Sequence, residues 1–240
     1  MEKLVYLLWA PPGSGPADHA RIAQALTPGL LALEPRAVWL QVDDADAQVP
    51  VPLPPPEGEH VPMGVVSIWL DRYDDRGPYE ALLREQCDRI AGYLVLKSMY
   101  TDYGGNRHSA PRDWPDGVRS PGVTMVTLME RPDRLSAEEW VTHWHTVQSP
   151  VSESMQPRIR YVRNEVVRAV TPGAPPYRGI VEECWPSAEH VTDPMLFYCA
   201  GGDADLMQSN LREMLTSVTG FLDLDRIRSI TMSEYLLKTR

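Results

Sequence analysis

The stretch VTMVTLMERPDRLSAEEWVTHW, residues 123–144, gives the pattern from which the fold is predicted. Its first seven residues are apolar and β-prone, which predicts a buried strand over 123–129. A polar turn follows, and the sequence SAEE from Ser136 matches a capping box, so we expect a helix to begin there. Because Pro150 cannot continue the ladder of helix hydrogen bonds, the helix is expected to end at about Ser149.

Three more strands and a second helix follow this stretch. A Pro-rich loop, TPGAPP, separates the first two of these strands. The apolar patterns predict strands over 159–169, 179–185 and 227–238 and a helix over 204–222.

The first half of the chain repeats this order of elements. Pro28 and Gly29 are expected to break its first helix, and the Pro-rich, acidic stretch 43–62 is expected to form a long exposed loop. The patterns predict strands over 3–9, 36–42, 63–70 and 94–101 and helices over 17–33 and 78–93.

Both halves therefore follow the order β-α-β-β-α-β, which is typical of a ferredoxin-like unit. The first strands of the two halves begin about 120 residues apart, as expected of an internal repeat. We predict an α+β protein with one repeat over 1–103, a Gly- and Pro-rich connector over 104–122 and a second repeat over 123–240. Each sheet leaves one face free of helices, and two such faces can pack together and exclude water.

Composition limits the classes of partner. The net charge of -10 disfavours nucleic acid and anionic membranes as partners. The 3 cysteines are scattered and form no CxxC pair, so we expect a protein of the reducing cytoplasm. No signal peptide and no apolar stretch long enough to cross a bilayer is recognised in the sequence.

Several motifs of the second half resemble the EthD family of dimeric α+β barrel proteins. They are ERPDRLSAEEWVTHW (130–144), RYVRNEV (160–166), EECW (182–185) and a closing strand that contains Glu234. The first half matches more weakly, through Trp9 with the prolines after it and through IWLD (68–71). The resemblance implies a pseudo-dimeric α+β barrel with an apolar, aromatic lumen that takes a small molecule.

The chain departs from the family pattern at the histidine positions. Where the family has His before x-Pro, this chain has Gln148, and Glu165 follows Asn164 where many members have His. The corresponding helix position of the first half lies near Leu26. The histidine that the family would use for acid-base chemistry has no counterpart in either half.

Glu183 is the first candidate for catalysis. In VEECW, Val181, Glu183 and Trp185 share one strand face, and the resemblance implies that this face points into the barrel. A carboxyl group beside Trp185 in an apolar lumen would have a raised pKa, which suits general acid-base work. The corresponding first-half residue is Ser67, so the two halves differ here. The alternative is that Glu183 accepts structural hydrogen bonds or pairs with an arginine.

Aromatic residues and two helix residues complete the predicted site. Tyr6 or Tyr235 is expected to polarise a carbonyl or phenol, and His145 lies near the family's histidine position. Ordinary core packing of the aromatic residues and a surface position for His145 are the alternatives. The predicted substrate-binding residues are Trp9, Trp69, Trp185, Tyr100, Tyr161 and Gln148.

The function expected by this analogy is cofactor-independent proton transfer by a lyase, isomerase or cyclase acting on an aromatic or polyketide-like compound. No metal site and no nucleotide-binding motif is found, so no cofactor is expected. One alternative is a non-catalytic small-molecule-binding or accessory protein, and another is a haem-binding barrel enzyme. The protein is expected to be a monomer, as a pseudo-dimer, or a homodimer.

Overall fold

The computed structural model describes residues 1–239, whose eight strands join edge to edge into a barrel. Most of the strands are rich in apolar and β-branched residues and are buried along most of their length. The strands are β1 (Glu2–Trp9), β2 (Ala37–Val42), β3 (Gly64–Leu70), β4 (Arg89–Thr101), β5 (Val123–Met129), β6 (Arg160–Ala169), β7 (Gly179–Trp185) and β8 (Ile227–Lys238).

The strand order around the barrel is β1-β3-β2-β8-β5-β7-β6-β4. Each half of the chain contributes four neighbouring strands, in the order expected of a ferredoxin-like repeat. The halves join where β2 pairs with β8 and where β4 pairs with β6, both antiparallel. The predicted fold class, an α+β barrel built from two βαββαβ repeats, is confirmed.

Helices cover the outside of the barrel. In the first half these are α1 (Pro16–Ala32) and α2 (Gly77–Gln86). In the second half they are α3 (Ala137–His143), a π-helical turn (Trp144–Gln148), α4 (Ser149–Met155), α5 (Glu189–Thr192), α6 (Pro194–Phe197) and α7 (Ala204–Phe221). Within residues 1–239, none of these helices has the length and apolar character needed to span a bilayer.

Two prolines do not end helices where the sequence predicted. Pro28 lies inside α1, whose Leu26 and Leu30 are fully buried, so packing of the helix outweighs the lost hydrogen bond. Pro150 lies in the first turn of α4, where its missing N–H is tolerated. The preceding π-helical turn, in which the Ser149 N–H donates to the Trp144 carbonyl, carries the chain into α4.

Most strands are buried on both faces because successive side chains alternate between the barrel interior and the helices. Val5 and Leu7 belong to an inner core with side chains from both halves, such as Val126 and Ile230. The helix-covered face of the first half is packed with Leu4, Tyr6, Leu8, Leu26, Leu30 and Leu83. That of the second half contains Met129, Trp140, Trp144, Tyr161, Val181 and Phe221.

Candidate active site

Strand β7 carries two neighbouring glutamates that point to opposite faces of the sheet. Glu182 accepts a hydrogen bond inside the barrel from Lys3 of the other half, at 2.8 Å. Glu183 instead lines a cavity beneath the helices of the second half, together with Val181. The expectation that the Glu183 face points into the barrel is therefore wrong, because the side chains at 182 and 184 occupy that face.

The cavity beneath these helices lies between strands β5, β7 and β8 on one side and the π-helical turn and α7 on the other. Its volume is about 280 Å³. The lining is mostly apolar with a few polar groups, as is typical of small-molecule sites. The apolar lining includes Leu53, Met125, Met129, Trp144, Val181, Phe197, Leu211, Met214, Val218 and Phe221.

Tyr161 and Gln148 line the same cavity as Glu183. The Tyr161 hydroxyl accepts a hydrogen bond from Trp144 Nε1 at 3.3 Å and shares another with Ser149 Oγ at 3.2 Å. Burial raises the pKa of the Tyr161 phenol, so it keeps its proton at neutral pH. The cavity thus has a fixed, neutral phenol among its polar groups.

Arg158 holds Glu183 in an ion pair. Its Nη1 donates to Glu183 Oε1 at 2.5 Å, and its Nη2 lies 3.1 Å from Glu153 Oε2. The Arg158 side chain is fully buried, and that of Glu183 is 14% exposed. A guanidinium group at this distance forms a charge-assisted hydrogen bond with a carboxylate. Glu183 is therefore an ion-paired carboxylate, as in the alternative considered for it, and not an isolated carboxyl group.

The π-helical turn places Gln148 and His145 differently. Gln148 lines the cavity, where its Nε2 lies 3.4 Å from Met214 Sδ. Its Oε1 is buried without a hydrogen-bond partner within residues 1–239. His145 lies beside the Trp144 ring, outside the cavity lining, and burial together with Arg163 lowers its pKa. Of the two, only Gln148 is placed to touch a ligand there.

The two other predicted catalytic tyrosines lie far from Glu183 in the fold. Tyr6 is in the core beneath the first-half helices, where its hydroxyl donates to Glu80 at 3.2 Å. Tyr235 packs against the same core and donates to Asp44 at 3.2 Å. Both side chains lie beneath the helices of the first half, whereas Glu183 lies beneath those of the second half, so the predicted grouping of Glu183 with either tyrosine is not observed.

The predicted tryptophans do not form one aromatic wall. Trp9 belongs to the inner core, and its Nε1 donates to the His60 carbonyl at 2.8 Å. Trp69 lies against Trp39, with ring centroids 4.4 Å apart. Trp185 belongs to a separate outer cluster, where it stacks on Phe197 with ring centroids 4.5 Å apart. The alternation of strand side chains separates Trp185 from the other two. Trp69 pairs with Lys3 at the opposite end of β1 from Trp9.

Tyr100 also lies on the outer face of the second half. Its ring centroid is 5.4 Å from that of Tyr161, and Arg163 lies 4.9 Å from its ring centroid. Tyr100 does not line the cavity itself. It therefore supports the position of Tyr161 by packing.

The barrel interior contains a charged network that sequence reasoning missed. Lys3 Nζ donates to Glu182 and to Asn164, each at 2.8 Å, and Gln41 donates to Glu182 at 3.0 Å. Burial raises the pKa of Glu182, but Lys3 and Arg160 outweigh it and lower the pKa to about 2. Polar residues in the middle of apolar strands were the available signal.

Glu234 forms a second centre of this network. Its carboxylate accepts hydrogen bonds from Arg160 Nη1, from Tyr103 at 2.8 Å and from Ser120 at 2.9 Å. Arg160 lies 3.9 Å from Glu182, so the two glutamates share one guanidinium group. These three residues belong to the second half, and the Lys3–Glu182 ion pair joins them to the first half.

The side chains of the cavity beneath the helices do not fit a haem or a metal ion. Within residues 1–239, no group of three or more His, Cys, Asp or Glu side chains is placed to hold a metal. No histidine or cysteine lines the cavity, and the hydroxyl of Tyr161 is already hydrogen-bonded. Of the axial ligands that proteins offer to haem iron, the histidine and the cysteine thiolate are therefore missing from its lining.

No family model and no curated protein matches the chain. Solved structures do match it. An anthrone oxidase-like protein is 10% identical, with a TM-score of 0.55 over 98% of this chain and 93% of that one. A putative monooxygenase from Lactobacillus acidophilus is 9% identical, with a TM-score of 0.50 over 97% and 93%. A variant of chlorite dismutase from Candidatus Nitrospira defluvii is 6% identical, with a TM-score of 0.49 over 98% and 92%.

At these identities the similarity shows a shared fold. The chain is an α+β barrel, as the resemblance implied. Membership of the EthD family itself stays a prediction.

Proposed function

We propose that the protein is an enzyme that catalyses proton transfer on a small aromatic or polyketide-like compound bound beneath the helices of the second half. One observation carries the proposal. Tyr161, the Glu183 carboxylate paired with Arg158, and the Gln148 amide, whose Oε1 has no partner within residues 1–239, line one apolar cavity of about 280 Å³. A donor and a proton acceptor facing one apolar cavity suit acid-base chemistry on a ring-shaped substrate.

Each polar group has a role in this proposal. The Tyr161 hydroxyl, which accepts from Trp144 Nε1, turns its proton from Ser149 Oγ to a carbonyl oxygen of the substrate. Glu183 takes the proton from the neighbouring carbon, and the negative charge moves to the oxygen that Tyr161 contacts. Return of the proton to a different carbon completes an isomerisation, and loss of a leaving group completes an elimination. No cofactor is needed for either reaction.

Arg158 has a positioning role. It holds the Glu183 carboxylate at 2.5 Å and shares its second nitrogen with Glu153 and Ser152. A carboxylate is a weak base, so the proposed substrate is one whose proton is already acidic, such as a proton on a carbon between a carbonyl group and an aromatic ring.

The test is turnover of aromatic ketones, with anthrone and hydroxylated anthrones as the first probes, followed by absorbance and by proton NMR in D₂O. We expect Glu183→Gln to lower kcat/KM at least about 100-fold and Tyr161→Phe by about 10- to 100-fold. Glu153→Gln is the matched control, because Glu153 also pairs with Arg158 but lies outside the cavity lining. Full turnover by Glu183→Gln would show that Glu183 takes no part in the reaction.

A non-catalytic binding protein is the second candidate. The pairing of Glu183 with Arg158 and the glutamine at 148 favour it, because both weaken the acid-base set. Native against denaturing mass spectrometry of the purified protein separates the candidates further. A co-purified compound returned unchanged supports a binding protein, whereas its conversion supports the enzyme. A haem mass together with a Soret band would contradict both candidates and identify a haem protein.

The proposal includes the cellular compartment and the oligomeric state. We expect a cytoplasmic protein, because its cysteines remain free thiols within residues 1–239. Native mass also distinguishes a monomer from a homodimer.

A further inference from the structure

A second cavity, of about 290 Å³, opens at one end of the barrel interior. It shares no lining residue with the cavity that contains Glu183. Its walls combine apolar side chains, among them Trp39, Trp69 and Leu236, with the cations Lys97 and Arg160. The proposed reaction uses none of these residues.

Arg160 and Trp39 each offer this cavity a buried donor, Nη2 and Nε1, that has no acceptor within residues 1–239. Arg112 Nε also has none, but its guanidinium group is already paired with Asp116. The Arg160 side chain is 1% exposed, and Trp39 is 8% exposed. A buried donor without a partner is costly, so an acceptor supplied by a ligand would stabilise both.

Lys97 adds a third donor and an unbalanced positive charge. Within residues 1–239 its ammonium group forms no hydrogen bond or ion pair and lies 4.5 Å from the Trp39 ring centroid. Burial, with Lys3 and Arg160 nearby, lowers its pKa to about 8. An anion bound beside it would reverse that shift.

The other charges at the cavity are already balanced. Arg112 pairs with Asp116 at 2.8 Å. Within residues 1–239, Asp102 is the only carboxylate in the lining, is 59% exposed and lies 3.7 Å from Arg160 Nε. Glu234 binds Arg160 Nη1 and leaves the Nη2 free for a ligand. The unused groups at this cavity are therefore all donors, which fit an anion.

We propose that this end of the barrel binds a small aromatic carboxylate. Its two oxygens accept from Arg160, Trp39 and Lys97, since planar carboxylates suit a guanidinium group with a neighbouring donor. Its ring lies against Trp69, Met99 and Leu236, which supply the apolar part of the wall. A bare inorganic anion would leave that wall without contacts.

The experiment uses benzoate with the full chain, measured by calorimetry and by NMR of the tryptophan indole N–H groups. We expect one site with a Kd of about 1 mM or below. Lys97→Met should weaken binding about tenfold, and benzamide, which is uncharged, should bind at least about tenfold more weakly than benzoate. The Trp39 indole signal, identified by Trp39→Phe, should move on titration.

Three affinity results would each overturn the proposal. They are unchanged affinity in Lys97→Met, equal affinity for benzamide, and phosphate binding as tight as benzoate. If the Trp144 signal moves and the Trp39 signal does not, benzoate occupies the other cavity, which also overturns it. Glu183→Gln should leave benzoate affinity unchanged, so loss of the proposed activity and loss of this site are distinguishable.

Discussion

Glu182 and Glu183 are consecutive residues of one strand, yet the two carboxylates have different surroundings. Glu182 is completely buried and is held by Lys3, Gln41 and Asn164 inside the barrel. Glu183 lies at the edge of an apolar cavity and is partly reached by solvent. The comparison indicates that the interior carboxylate joins the two halves, whereas the outer one is available to a ligand.

Neutralising the two glutamates one at a time should give the largest difference. Glu182→Gln leaves Lys3 buried without its partner charge and should lower the free energy of unfolding by about 3–5 kcal/mol. Glu183→Gln should cost about 1 kcal/mol or less, because Arg158 keeps Glu153. Urea unfolding followed by tryptophan fluorescence measures both values. Equal losses would show that the two faces of the strand do not differ as described.

Acid should remove the stability that the ionised Glu182 contributes. The pKa of Glu182 falls from 4.5 to about 2 on folding. A lowered carboxyl pKa stabilises the fold above pH 4.5, and that stability is lost as the pH falls towards 2. The loss amounts to about 3 kcal/mol. The difference in unfolding free energy between wild type and Glu182→Gln should therefore shrink over this range, whereas a constant difference would contradict the ion pair.

Replacing Lys97 should give the smallest change in the free energy of unfolding, and this change has the opposite sign. Its pKa falls from 10.5 to about 8, so the charged form is held unfavourably in the fold. Lys97→Met should raise the free energy of unfolding at pH 7 by about 1 kcal/mol, after allowance for solvent screening. The gain should persist below pH 8 and disappear by pH 10.5. Lys238→Met, for which no such gain is expected, is the control.

The order of elements followed from sequence because each apolar run has the length of a strand and each Pro-rich loop recurs in both halves. The end of the helix at Ser149 did not, since a π-helical turn allows the chain to pass Pro150. Local proline rules contain no information on such a turn.

It was harder to predict on which face of the sheet each strand side chain lies. A strand buried on one side alternates apolar and polar residues, but β7 is buried on both, so VEECW gives no sign of which glutamate points inwards. Tyr161 and Gln148 were found because they match positions of the resemblance. Arg158, which lies outside any strand or helix, and the donors of Trp39 and Arg160 depend on long-range contacts that no local pattern encodes.

Closure of the barrel has a consequence for assembly. Every strand within residues 1–239 has a neighbour on both sides, so no row of unpaired backbone groups is offered to another chain. Unpaired edges are the usual route by which sheets extend, swap strands or aggregate. Any homodimer of this protein must therefore meet through helices, loops or side chains, and its formation need not disturb the cavities within each subunit.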